Sequence, residues 1–258
     1  MTPAARLQAT LDLMHDVENV ARPADAVVSA WFRSHRQIGD ADRGVIAELV
    51  YALLRHHARL GWWLAKQGCE VTPRNRLLAW LALAESKTPE QVAGLFSGAS
   101  AAPAALSDPE RALLTKLRGG TIAHPAMPEE VRCECPSWAA GPLRRRFGDS
   151  FPREMAALLT PPPLDLRVNP LKATREAMLR ALQRLGLPAE ATRMAPCGIR
   201  VTERPSLARL PMLKTGEVEI QDEGSQLVAM LVGARPGERV VDLCAGAGGK
   251  TLAIAAQM

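Results

Sequence analysis

The chain has 258 residues, 47% of them apolar, which is enough for more than one hydrophobic core and excludes a wholly disordered chain. Its formal charge is +5, and no run of about 18 apolar residues offers a bilayer-crossing helix. Asp12, Asp16 and Glu18 stand where a secretory signal would be apolar, so a cytoplasmic protein without membrane contact is expected.

Residues 4 to about 96 read as helices. Ala9, Leu13, Val17 and Val20, then Val27, Val28, Trp31 and Phe32, recur at three- and four-residue spacing. A longer helix is expected from Asp42 to Gly68, with Asp40 or Asp42 as its N-cap and Gly68 as its stop. Its apolar face would be Val45, Leu49, Ala52, Leu53, His56 and Leu60. Further helices are expected over Arg74–Leu83, near Pro89–Phe96 and near Arg111–Arg118. The Gly- and Pro-rich connection that follows suggests a domain boundary near residue 125, giving an all-helical domain over 1–125.

Two helices should follow, one from Ser137 carrying Trp138, Leu143 and Phe147, and one over Phe151–Leu159. From Pro161 the pattern changes to strand (Leu164–Pro170), amphipathic helix ending at Gly186, strand (Gly198–Glu203) and strand (Gly216–Asp222). That order predicts a small α+β module of ferredoxin-like type within 126–215. Between Thr160 and Thr215 there are ten Lys or Arg and four Asp or Glu, so 10 − 4 = +6. Such an excess suits a polyanion such as RNA, and equally a solvated basic surface. A third region, 216–258, would hold a helix over Gly224–Ala234, a buried strand over Glu238–Cys244 and a Gly-rich loop opening a last helix from Thr251.

The five cysteines (Cys69, Cys133, Cys135, Cys197, Cys244) are odd in number and irregularly spaced, against a disulfide framework. No second Cys or His pair follows Cys133 and Cys135 at zinc spacing, so no metal is expected.

An apolar strand ending in an acid, then glycines, then a helix, is a ligand-binding device, because glycines admit the ligand to the backbone and the helix offers free N–H groups. A P-loop would need glycine where Cys244 stands. A dinucleotide fingerprint would need Gly or Ala where Thr251 stands. An acid, three residues and then G-x-G fits throughout, as Asp242, Gly246 and Gly248. This is the pattern of Rossmann-like methyltransferases that use S-adenosylmethionine (SAM), whose sulfonium a carboxylate can favour.

DLCAGAGGKT resembles the first SAM motif of the RsmB (Fmu/Sun) family of RNA cytosine-5 methyltransferases, usually D-x-C-A-A-P-G-G-K-T, with Gly246 and Ala247 replacing Ala-Pro. GEVEIQDEGSQL, LRVNPLKATREAML and DRGVIAELVYALLRH resemble, in order, the motif before it, the family's small RNA-binding module and its NusB-like domain. The resemblance implies a NusB-like helical domain, an α+β RNA-binding module and the start of a Rossmann-like SAM methyltransferase domain. It implies SAM held by Asp242, Cys244, Ala245, Gly246, Ala247, Gly248, Gly249 and Lys250. Lys250 has an alternative as a charge at the helix start, and Gln221 and Ser225 are open between lining the methionine side and capping a helix. Arg167 and Asn169 would face RNA, or else Arg167 pairs with an acid and Asn169 caps the turn before Pro170. Asp42, Arg43 and Arg55 match NusB-like positions, where an interior Asp–Arg pairing is the expected role and RNA contact the alternative.

The family methylates cytosine through a cysteine thiolate adding to carbon 6. Its nucleophile belongs to motifs beyond the first SAM motif, and Met194-Ala-Pro-Cys197-Gly lacks the preceding acid, so Cys197 is expected to be a half-buried strand-end residue. No catalytic residue is therefore assigned, and the chain is expected to be an incomplete, inactive piece of a monomeric enzyme acting on 16S rRNA. The alternatives are a non-catalytic NusB-like RNA-binding or antitermination module and an inactive truncated paralogue.

Overall fold

A computed structural model describes residues 1–202 and 210–258, which form two compact units, Met1–Thr160 and Pro161–Met258. Glu203, the end of one expected strand, lies outside the described residues.

The first unit is helical: α1 (Pro3–Asn19), α2 (Ala24–Ser34), α3 (Asp40–Arg55), α4 (His57–Lys66), α5 (Pro73–Leu83), α6 (Pro89–Leu95), α7 (Asp108–Leu117), α8 (Glu129–Arg132), α9 (Ser137–Phe147) and α10 (Phe151–Leu159). A Thr-Pro pair opens α1, α5 and α6. In each the threonine hydroxyl accepts the third helical N–H, from Ala5, Asn75 and Gln91, while proline occupies a first-turn position with no N–H to satisfy. Leu13, Met14, Ile46, Val50, Leu53, Leu60, Leu64, Leu77 and Leu78 fill the interior, with α5 buried over most of its length.

The expected helix from Asp42 to Gly68 is two helices that break at His56 (φ −112°, ψ 26°). The Glu134 carboxylate accepts the freed N–H groups of Ala58 and Arg59 at 2.7 and 2.9 Å, so a residue distant in sequence caps α4. Burial pushes the Glu134 carboxyl up, against the two N–H bonds and Arg59, which pull it down. The buried residues of α3 are Ile46, Val50, Ala52 and Leu53: Ala52 and Leu53 lie on the expected face, whereas Ile46 and Val50 are buried in place of Val45, which is exposed, and Leu49, which is half-buried. Gly39, not an aspartate, is the N-cap. Asp42 instead takes Arg6 of α1 at 2.7 Å and the terminal amino group at 2.8 Å. Gly68 stands just past α4 with φ +67°, as its predicted stop requires.

The helical unit runs to Thr160 rather than ending near residue 125. Met127 joins the main core, Val131 packs against it, and Arg59 donates to the carbonyl of Arg132, so α8 and its surroundings are tied to α4.

The second unit holds β1 (Leu164–Val168), α11 (Arg175–Arg184), β2 (Ala189–Ala191), β3 (Gly198–Val201), α12 (Pro211–Thr215), β4 (Val218–Ile220), α13 (Glu223–Leu231) and α14 (Gly249–Ala255). Its strands pair antiparallel in the order β2-β3-β1-β4, with Leu166 opposite Ile199 and Ile220, which is a ferredoxin-like sheet. The three-residue β2 was not legible in the sequence. Leu166, Val168, Ile199, Val201 and Val218 face Met178 and Leu182 of α11. Gly198 permits the tight corner before β3, since a Cβ there would meet the Thr192 Oγ1 at 2.0 Å. The expected cut at 215/216 runs between α12 and β4, yet β4 is a sheet strand beside β1 and α13 packs on β1, so the sheet and residues 216–258 are one unit.

The expected buried strand over Glu238–Cys244 is not a strand. It has no ladder partner among the described residues, Leu243 and Cys244 form a turn, and Val241 and Leu243 are exposed. An apolar run acquires strand geometry through its neighbours' hydrogen bonds, and here no strand lies beside it.

Candidate functional site

The sheet's second face is polar. Alternation along β1 sends Asp165 and Arg167 opposite to Leu166 and Val168, and Arg200 of β3 joins them. Asp165 is buried and holds Arg200 through two bonds of 2.8 Å, while its Oδ2 also accepts the N–H of Glu223 at the start of α13. The Arg200 hydrogen bonds keep the Asp165 carboxyl below its ordinary range, ahead of the burial that opposes them. Asp222 caps α13 by accepting the Ser225 N–H at 2.9 Å, so the cap belongs to Asp222, and Ser225 supplies only its backbone.

Arg167, expected to face RNA, is only 5% exposed. Its Nε donates to Gln221 Oε1 at 2.6 Å and its Nη2 to Glu219, so the pairing alternative is the one the structure adopts. Burial leaves no guanidinium face for a phosphate. Asn169 also turns inward: its Oδ1 accepts the Leu171 N–H at 3.1 Å and its Nδ2 donates to the Gly216 carbonyl at 3.2 Å, the turn-capping alternative. Asp165, Arg200 and Gln226, which organise this face with Gln221, carried no signal beyond ordinary strand and helix polarity. Gln226 Oε1 is buried without a partner among the described residues, beside a cavity of about 60 Å³ lined by Arg167, Cys197, Met230 and Ala253.

Gln221 links this face to the Gly-rich loop. A Cβ at Gly249 would lie 3.6 Å from its Nε2, in ordinary contact. Gly246 (φ +55°) and Gly248 (φ +87°) adopt left-handed backbone that other residues rarely take, and Gly248 is the N-cap of α14. Asp242 Oδ2 accepts the Thr251 hydroxyl at 2.8 Å, which closes the loop across its base. Cys244, Ala245, Gly246, Ala247 and Lys250 are exposed, and Gly248 and Gly249 half-buried, so all the predicted cofactor residues lie on one open turn. The loop fits SAM in its chemistry: a carboxylate for a cationic ligand, two left-handed glycines and room where side chains would stand.

The remaining cysteines are not placed as nucleophiles. Cys133 and Cys135 lie in an apolar cluster with Phe151 and Met155, and burial raises the Cys133 thiol. Cys197 is half-buried at the start of β3, where its carbonyl accepts the Val168 N–H.

Residues 135–208 match the model of the ferredoxin-like domain of RsmF/B-like methyltransferases. Ribosomal RNA small subunit methyltransferase B of Sodalis glossinidius is 28% identical over 83% of this chain and 52% of its own length. Across these matches the chain is similar to proteins of the RsmB/Fmu family. The Citrobacter koseri protein of the same name is 26% identical over 91% of this chain and 58% of its own, and that of Pseudomonas syringae pv. tomato is 36% identical over 47% and 27%. The chain thus spans between about a quarter and three-fifths of the length of these relatives. The crystal structure of PH0851 shares the fold, with a TM-score of 0.71 at 19% identity, over 100% of this chain and 62% of that one.

Proposed function

We propose that this RsmB/Fmu-like chain is the RNA-binding and cofactor-loop portion of a SAM-dependent RNA cytosine-5 methyltransferase acting on 16S rRNA. The observation that carries the reading is the loop from Asp242 to Lys250. Its glycines take the conformations a ligand-admitting turn needs, and its carboxylate is tied across the base of the turn by Thr251. Relatives named small subunit methyltransferase B support the substrate class, and the helical unit and ferredoxin-like module are the RNA-binding parts in this reading.

SAM supplies an electrophilic methyl group on a sulfonium. Asp242 holds negative charge at the loop base for the cationic end of that ligand, and the backbone from Cys244 to Gly249 supplies N–H donors. Lys250, exposed at the start of α14, would offer its ammonium to the ligand's carboxylate. Gln221, fixed by Arg167, braces the start of α14 beneath the loop. The described residues place no cysteine against this loop except Cys244, which belongs to the turn itself, so they are expected to transfer no methyl group alone.

Ligand-observed NMR with SAM detects weak binding and tests the loop. Binding that is lost in Asp242→Ala and Gly248→Val supports the reading, while binding unchanged in both, or a preference for ATP or NAD, overturns it. Mapping of 5-methylcytosine in 16S rRNA from cells lacking the gene tests the base. A full complement of 5-methylcytosine in those cells removes the cytosine-5 assignment.

A further inference from the structure

The helix α9 carries a solvent face that the fold leaves unused. At 100° per residue its core face is Ala139, Ala140, Leu143 and Phe147, and the opposite face is Trp138, Gly141, Pro142 and Arg145. Trp138 is 82% exposed. Arg145 lies two turns along almost the same line, about 10 Å away along the axis. Between them Gly141 and Pro142 carry no long side chain. A Cβ on Gly141 would sit 3.7 Å from Nη1 of Arg145, so the guanidinium leans back over the glycine. Pro142 has no N–H, so the carbonyl of Trp138 lacks the donor a regular helix would supply four residues on.

The three successive arginines divide by task. Arg144 is used in the fold, paired with Glu129 and Glu130 and set 5.4 Å from the Phe151 ring. Arg145 and Arg146 are exposed and make no ion pair among the described residues. The acids around them are engaged elsewhere: Glu134 caps α4 and Glu154 pairs with Arg153, leaving Asp149 past the helix end. An indole with one bare face, a flat shelf and two free guanidinium groups is a platform for an unpaired base and its flanking phosphates.

We infer that the Trp138–Arg145 face of α9 is a docking surface for single-stranded RNA, with one unpaired base stacked on Trp138, a phosphate on Arg145 and a further phosphate on Arg146 at the flank of the same helix. The inference rests on the RNA-substrate reading above and names the surface that the buried Arg167 and the inward-turned Asn169 do not provide.

The test is binding of a short fluorescein-labelled single-stranded RNA by the whole chain. Trp138→Ala is expected to weaken binding about tenfold, and Trp138→Phe, which keeps an aromatic ring, about twofold. RNA should quench tryptophan emission in the wild type, and the quenching should disappear in Trp138→Phe while binding persists. Arg145→Gln and Arg146→Gln should each lower the slope of log affinity against log salt by about 0.7. The exposure of all three side chains keeps these variants folded, which matching circular dichroism spectra verify. RNA affinity unchanged by Trp138→Ala in a chain that binds RNA overturns the surface and leaves the methyltransferase reading standing. A wild-type chain that binds no RNA also overturns it, and the SAM titration then decides that reading separately. A dimer that Trp138→Ala dissolves, with RNA affinity untouched, overturns it in favour of a second copy of this chain.

Discussion

Leu53, Leu60 and Leu64 in α3 and α4 have no exposed surface, whereas Val241 and Leu243, in an equally apolar run before the Gly-rich loop, are 87% and 92% exposed. The first set lies on helices, whose backbone hydrogen bonds are internal, so the side chains need only an apolar neighbour. The second belongs to a run that becomes a strand only when another strand supplies its bonds. Apolar composition alone therefore does not decide burial, and the source of the backbone's partners does.

That contrast can be broken most directly in the helical core. Leu53→Ala should cost about 3 kcal/mol in urea unfolding, because the site is closed on all sides, while Leu243→Ala should change stability by less than about 0.5 kcal/mol. Equal costs would mean that Leu243 is covered in solution. The sheet's polar face lies between these extremes. Asp165→Asn removes half of a two-bond pairing and a contact with the start of α13, and should cost about 2–3 kcal/mol, reported by the second unit's melting. Because Asp165's folded pKa is depressed, its contribution is present above the ordinary carboxylate range and lost as pH falls through the folded value.

The helix break at His56 sharpens the comparison from the other side. Burial, with Arg59 and Arg55 nearby, lowers the imidazole from 6.5 to about 4. The unfolded chain then takes up the proton first. Stability should be complete above 6.5 and fall progressively as pH drops towards about 4, and His56→Leu should flatten that part of the urea-midpoint profile. An unchanged profile would place the titration elsewhere. The smallest effect is expected at the loop: Thr251→Val removes one exposed bond to Asp242 and should cost less than about 1 kcal/mol, while loosening the turn and weakening SAM binding.

Much of this was legible in the sequence. The Gly68 stop and three- and four-residue spacing located the helices, because those signals act within a turn or two, whereas the Thr-Pro starts became evident only in the structure. The glycine positions of the loop were legible for the same reason. The fate of Arg167 was not. Its neighbours in sequence alternate as an ordinary strand, and only the return of β4 brings Glu219 and Gln221 to it. Trp138 shows the converse. As an apolar residue near Leu143 and Phe147 it was placed with them, yet its angle on α9 turns it out.

The sequence by itself determined the helical first half, the strand–helix–strand order of the second and the turn that precedes α14. All follow from local propensity, periodicity and short motifs. The tertiary structure alone decided where α3 ends, because Glu134 arrives from far along the chain to cap α4. It also decided which charges are interior, because antiparallel pairing brings Arg200, Glu219 and Gln221 alongside β1. The apolar run before the loop stays open for the same physical reason: partners for a backbone or a charge come from distant segments, and local sequence does not specify their arrival.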